Sequence, residues 1–112
     1  MNVRFFGRSA VQAEVVNAWW TRNRPSAPRL FADELASALR LVAAGPGIGA
    51  LYEPRGAQGV RRLLLPRTRY FVYYAYDRES AIVGVLSIWS CARGRPPSLG
   101  FFKGFEDRNS GR

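Results

Sequence analysis

Val60-Arg61-Arg62-Leu63-Leu64-Leu65-Pro66, then Tyr70-Phe71-Val72-Tyr73-Tyr74-Ala75-Tyr76, then the apolar run from Ala81 to Trp89 decide the fold of this chain. Each run is rich in β-branched or aromatic residues, so each reads as a strand: Val60–Leu65, Tyr70–Tyr76 and Ala81–Trp89. The joins Pro66–Arg69 and Asp77–Ser80 are turn-like and short, which makes the strands antiparallel neighbours. On the middle strand Tyr70, Val72, Tyr74 and Tyr76 point one way and Phe71, Tyr73 and Ala75 the other. Both sets are apolar or aromatic. The strand is therefore central, with helices over one face and something else meeting the other. The same alternation puts Arg61 with Leu63 and Leu65, and Arg62 with Val60 and Leu64, so one arginine turns away from the helices.

The helices come from the first half. Val3–Phe6 is a short strand closed by Gly7, and Ser9 and Gln12 have the spacing of a capping box. Behind them Val11, Val15 and Trp19 form one i, i+4 row and Val16 and Trp20 a second, a broad apolar face on a helix ending near Arg22. Asn23-Arg24-Pro25 breaks it. Pro28 suits the first turn of a second helix capped by Ser26, whose stripe is Phe31, Leu35, Leu39 and Val42. Gly45-Pro46 stops that helix, and Gly45 to Gly59 reads as an extended loop. The expected fold is α/β (α+β) in the order β-α-α-β-β-β, an N-terminal helical hairpin on a small, mainly antiparallel sheet. Residues 1–99 form one domain, and the Phe-rich tail 100–112 either docks on the sheet or waits for a partner.

The charge narrows the function. The 112 residues carry 17 basic and 8 acidic side chains, a net +9, and Lys103 is the single lysine. A GC-rich genome explains arginine over lysine but not the excess of positive charge, which favours nucleic acid or an acidic protein partner. Cys91 is the one cysteine and there is no histidine. An intrachain disulfide is impossible, and a structural metal site or other cofactor is not expected. The N-terminus lacks the apolar core of a signal peptide, and Ala81–Trp89 is too short to span a bilayer, so a soluble cytoplasmic protein is expected.

The strand order, Trp19-Trp20 closing the first helix, the Arg24-Pro25 turn, Val60-Arg61-Arg62-Leu63-Leu64-Leu65-Pro66, Tyr70 with Val72-Tyr73-Tyr74, and Ile88-Trp89 before Arg93-Gly94-Arg95-Pro96-Pro97 resemble the RelE/ParE superfamily of type II toxin–antitoxin toxins. The likeness is closer to the ParE-like branch and runs from Val3 to about Leu99. It implies a toxin neutralised by a cognate antitoxin with an acidic C-terminal segment, with operator DNA bound only through that antitoxin. The segment is expected on the helical hairpin or in the groove beside the sheet, at Trp19, Trp20, Phe31 and Tyr70. For the two tryptophans, core and hairpin packing is the plainer role, with one of them left partly exposed.

RelE-like members cut messenger RNA on the ribosome, whereas ParE-like members poison DNA gyrase. Cutting RNA needs a base for the 2′-OH, cations for the phosphorane and an acid for the leaving oxygen. Arg61, Arg62, Arg69, Arg93 and Arg95 supply cations for a target or a phosphate, and Tyr73 and Tyr74 supply protons. Glu53 is the one carboxylate close in sequence to the basic strand. If the chain is an endoribonuclease, its set is Arg61, Arg62, Tyr73, Tyr74 and Glu53. Phe71 and Ser90 stand where many relatives carry Arg or His, and arginine, with a pKa above about 12, is a poor base. Cys91 has no evident group to activate it. The reading is therefore a gyrase-binding toxin, with an mRNA endoribonuclease or an inactive, antitoxin-binding corepressor as the alternatives.

Overall fold

A computed structural model describes residues 1–54 and 57–105. The elements are β1 (Asn2–Phe5), α1 (Ser9–Asn23), α2 (Leu30–Ala44), a 3-10 turn (Pro46–Ile48), β2 (Ala50–Leu51), β3 (Arg61–Leu65), β4 (Tyr70–Asp77) and β5 (Ile82–Ser90). The five strands form one sheet in the order β1-β5-β4-β3-β2, so β4 is central as its two apolar faces require. β1 lies parallel to β5 and the other pairings are antiparallel. The expected order lacked β2, a two-residue strand within the presumed loop. It exists because Ala50 and Leu51 pair with Arg62 and Arg61, and a strand this short leaves no periodic signal.

α2 packs as its stripe demands, with Phe31, Leu35, Ala38 and Val42 buried and Leu39 half-buried. Phe31 meets Tyr70 edge-on, ring centroids 5.5 Å apart. Burying Phe31, Leu35 and Val42 contributes about 1.5–3 kcal/mol each. α2 also holds the β3–β4 turn: the Glu34 carboxylate accepts hydrogen bonds from Arg67 N–H (2.8 Å), Thr68 N–H (3.0 Å) and Thr68 Oγ1 (2.7 Å). Its start differs from expectation. The N-cap is Arg29, and Ser26 and Pro28 lie in turns closed by Ala27 N–H to Arg24 O and Leu30 N–H to Ala27 O.

α1 departs further. Ala13, Val16 and Trp20 face the core, while Val11, Val15 and Trp19 are exposed, so the broad apolar face is two faces with different fates. Ser9 and Gln12 form no capping box; the N-cap is Arg8 without a side-chain bond. Both residues turn instead to β5, which β1 accompanies only from Ile82 to Val85. The buried Ser9 Oγ lies 2.9 Å from Val85 O and 2.8 Å from Phe6 O. Gln12 Oε1 accepts from Ile88 N–H at 2.8 Å. The sheet edge that β1 leaves open is sealed by the first turn of α1, because an unmet backbone group there would be costly.

The second face of the sheet is roofed by the tail. Leu99 and Phe102 are buried with Ala57, Val60, Tyr73, Ala75 and Leu86, and Phe105 packs on Phe6 and Phe102. Of the two expectations for the tail, docking is the one observed for residues 100–105; residues 106–112 lie outside the described residues. Among the described residues, no helix is long and apolar enough to cross a membrane.

Candidate functional site

Two adjoining concavities lie at the end of the sheet where β3 begins its turn toward β4 and β5 ends. The first opens on the face away from the helices. Arg62 leaves β3 on that face, and its guanidinium carbon stands 4.3 Å from the Phe71 ring centroid and 4.7 Å from that of Tyr52. Its Nη1 donates to Tyr73 Oη at 3.4 Å. β5 adds Trp89, whose Nε1–H donates to Arg95 O at 2.8 Å, folding the Arg93–Pro97 segment back against the strand. The Arg93 guanidinium covers the Trp89 ring at 4.1 Å. The pocket between them is about 290 Å³, lined by Arg62, Arg93, Arg95, Tyr52, Phe71, Tyr73, Trp89, Ser90 and Cys91 among others, with no carboxylate among the described residues that line it. Burial pushes the Tyr73 phenol above its ordinary value, and the Arg62 hydrogen bond and charge oppose this.

The second concavity, about 330 Å³, runs between α1 and the end of the sheet. Val11, Val15, Val16 and Trp19 form its helical wall, Tyr70 and Ile88 its floor, and Arg8 and Arg93 flank it. Val15 is 63% exposed and Trp19 40%, an apolar row largely open to solvent. Arg24 lies over the Trp19 ring at 4.8 Å. Trp89, Ser90 and Arg93 belong to both concavities, so they form the ridge between them.

The five residues expected to act together in RNA cleavage are separated. Arg62 and Tyr73 share the pocket. Arg61 and Tyr74 are on the opposite face, where Arg61 Nη1 donates to Gly49 O (2.7 Å) and Gly47 O (3.3 Å) and Tyr74 Oη donates to Pro46 O (2.7 Å). Arg61 Nη1 and the Tyr74 O–H are committed to holding the 3-10 turn. Glu53 is exposed and accepts from Gly59 N–H, closing its own loop. Strand alternation is the physical reason: neighbours 61 and 62, or 73 and 74, cannot share a face.

Of the five arginines expected to meet a target, Arg62, Arg93 and Arg95 gather at the pocket, whereas Arg61 is turned to the 3-10 segment and Arg69 is exposed in the β3–β4 turn, lining neither concavity. Of the four expected antitoxin contacts, Trp19 and Tyr70 line the groove. Phe31 (1% exposed) and Trp20 (9%) are core residues, placed inward by the helical stripe they belong to. Tyr52 and Trp89 were not anticipated in the pocket. Tyr52 follows the short β2, and the signal for Trp89 is its place two residues before Cys91 at the end of a strand whose partner position is Phe71. Phe71, which stands where many relatives carry Arg or His, packs under the Arg62 guanidinium. Among the described residues no group of three or more His, Cys, Asp or Glu could hold a metal ion.

The fold recurs in known toxins. The chain superimposes with a TM-score of 0.61 on a chain of the chromosomal ParDE toxin–antitoxin system from P. aeruginosa, at 15% identity over 80% of this chain and 95% of that one. The isolated E. coli RelE toxin matches at 0.56 and 20% identity, over 84% of this chain and 87% of that one. A chain of the intact E. coli RelBE toxin–antitoxin complex matches at 0.56 and 20% identity, over 82% and 98%. No curated protein sequence matches. The sequence model of the family described as the ParE toxin of the type II toxin–antitoxin system parDE matches residues 10–94, which takes in both helices, β3 to β5 and the Arg93 ridge. On that match the chain belongs to the ParE toxin family of type II toxin–antitoxin systems, and its fold is that of the RelE/ParE superfamily.

Proposed function

We propose that the protein is a cytoplasmic toxin that inhibits DNA gyrase by binding it and is neutralised by a cognate antitoxin. The family match over residues 10–94 carries the reading. The separation of Arg61 and Tyr74 from Arg62 and Tyr73 supports binding over RNA cleavage, since the groups that would have to converge on one phosphate lie on two faces of the sheet. Tyr73, a phenol that burial pushes above its ordinary value of 10.0, is protonated and a poor base at neutral pH.

The antitoxin's place is the groove between α1 and the sheet. Val11, Val15 and Trp19 offer apolar area, and Arg8 and Arg93 suit an acidic segment, which steers association through complementary charge. Any contact with operator DNA is then made by the antitoxin.

A gyrase supercoiling assay with purified toxin, paired with primer extension on messenger RNA after induction in cells, tests the activity. Loss of supercoiling with intact transcripts is expected. Untouched supercoiling with codon-positioned cuts would replace this reading by an endoribonuclease. Harmless induction would leave an antitoxin-binding corepressor.

A further inference from the structure

We propose, resting on the reading of gyrase as the target, that the β3–β4 turn is the toxin's docking point on that protein, where Arg67 and Arg69 meet carboxylates of its surface. The turn, Pro66 to Arg69, lines neither the α1 groove nor the pocket on the far face of the sheet.

The backbone gives the first reason. Arg69 has a φ of +66°, and with Ala81 in the turn at the other end of β4 it is one of two non-glycine residues in the left-handed region among the described residues. Glycine fills such a position at least cost, because a Cβ there crowds the following carbonyl oxygen. A long charged side chain at this point works against the fold. Strain of this kind gathers where a residue is kept for a partner and not for packing.

The turn is also held from three sides. Glu34 on α2 accepts from the Arg67 and Thr68 N–H groups and from Thr68 Oγ1. From the end of β5 the Cys91 N–H donates to Arg69 O at 2.9 Å, and the Arg69 N–H closes the turn on Leu65 O at 2.8 Å. Thr68 is buried, while Arg67 and Arg69 on either side of it are exposed. Both arginines therefore stand on a fixed base, and a partner has little backbone left to order on binding.

Charge identifies the partner. Neither Arg67 nor Arg69 has an ion-pair partner among the described residues, so both guanidiniums are free for carboxylates. Two carboxylates lie close by: Glu34 under the turn, and the exposed Asp33 beside it on α2, paired with Arg29 at 3.5 Å. A nucleic-acid backbone is anionic throughout and would meet both of them. A protein surface can set acidic groups against the turn and a basic one against Asp33. Tyr70, next in the chain, floors the α1 groove, so an antitoxin segment lying there reaches the foot of the turn and obstructs the same docking.

The test is a gyrase supercoiling assay titrated with each protein, with a gel shift of the plasmid alone beside it and circular dichroism to establish folding. Arg67→Ala and Arg69→Ala should each raise the concentration for half inhibition about five- to tenfold, the loss of one charge-assisted hydrogen bond. Arg40→Ala on α2 and Arg78→Ala in the β4–β5 turn remove equal charge elsewhere and should change it less than about twofold. Arg69→Gly separates contact from folding: without a Cβ at the positive φ it should melt at a higher temperature than Arg69→Ala, yet inhibit no better. Glu34→Ala removes a negative charge, so net charge alone would strengthen inhibition, whereas a loosened turn weakens it. Inhibition by wild type that is unchanged in both turn variants, equally weakened by the distal ones, restored by Arg69→Gly or strengthened by Glu34→Ala would overturn the docking point and leave the gyrase reading in place. Turn-dependent binding to the plasmid alone would put duplex DNA where the protein surface is proposed and also overturn it. No inhibition by wild type would overturn the gyrase reading and the docking point together.

Discussion

Gly49 and Tyr74 lock the 3-10 turn to the central strand: the Gly49 amide donates to Tyr74 Oη at 2.8 Å, and a Cβ on Gly49 would stand 2.6 Å from that oxygen. The φ of Gly49, −73°, suits any residue, so glycine is required by space and not by conformation. Tyr74 is fully buried and its O–H donates to Pro46 O, so it cannot swing aside. Gly49→Ala is expected to cost about 1–3 kcal/mol through overpacking, and Tyr74→Phe a similar amount through the orphaned Gly49 N–H and Pro46 O. Urea denaturation measures both. The double variant should cost less than their sum, because each change already breaks the same contact.

Alkaline pH should loosen the fold. Burial raises the pKa of Tyr74, against the Gly49 hydrogen bond, and also that of Tyr73, against the Arg62 hydrogen bond, each above the ordinary value of 10.0. The unfolded chain therefore sheds these protons first as pH rises. The stability they contribute is complete below about pH 9 and is lost from about pH 10 upward, as the pH climbs through the folded values. Urea midpoints should fall across that window and stay level below it as far as these two groups are concerned. Tyr74→Phe should start from a lower midpoint and show a shallower alkaline decline. An equal decline in wild type and variant would assign the effect to other groups.

Glu34 is a single side chain holding a hairpin. Glu34→Ala removes three hydrogen bonds to Arg67 and Thr68, two of them to backbone N–H groups of the β3–β4 turn. Thr68 is buried, so water replaces the carboxylate poorly. A loss of about 1.5–3 kcal/mol in urea denaturation is expected, with faster amide exchange localised to residues 66–69. Global exchange changes without a local component would show that the turn does not depend on this carboxylate.

The four longer strands and the two helices were legible because their signals are repeated: β4 alternates over its whole length, and Phe31, Leu35 and Val42 mark one stripe of α2. What escaped the sequence depended on distant partners. Ser9 and Gln12 have capping-box spacing, yet the open edge of β5 beyond Val85 competes for both side chains and wins, since buried backbone groups must be met. The Val11, Val15 and Trp19 row looks like core because periodicity reports amphipathicity and not which neighbour arrives; the sheet reaches Val16 and Trp20 and stops. At the pocket, alternation correctly separated Arg61 from Arg62. It gave no hint that Tyr52, from a glycine-rich segment, would stack on Arg62, because a two-residue β2 pairs only with the residues it meets in space.

That exposed row on α1 gives the sharpest test of how the toxin is restrained. Val15 projects from the groove wall and contributes little to the core, so Val15→Glu should fold with a stability within about 0.5 kcal/mol of wild type. The same change puts a carboxylate in the groove proposed for an acidic antitoxin segment and removes apolar contact area beside Trp19. Affinity for the cognate antitoxin should fall about tenfold or more by calorimetry, mostly through faster dissociation. Leu41→Glu is the matched control, since Leu41 is comparably exposed (55%) on α2 and lines neither concavity. It adds the same charge to the protein as a whole. Equal weakening by the two variants would mean that the antitoxin senses net charge alone. Loss confined to Val15→Glu places it in the groove, where its acidic side chains meet Arg8 and Arg93 while its apolar face covers Val11, Val15 and Trp19.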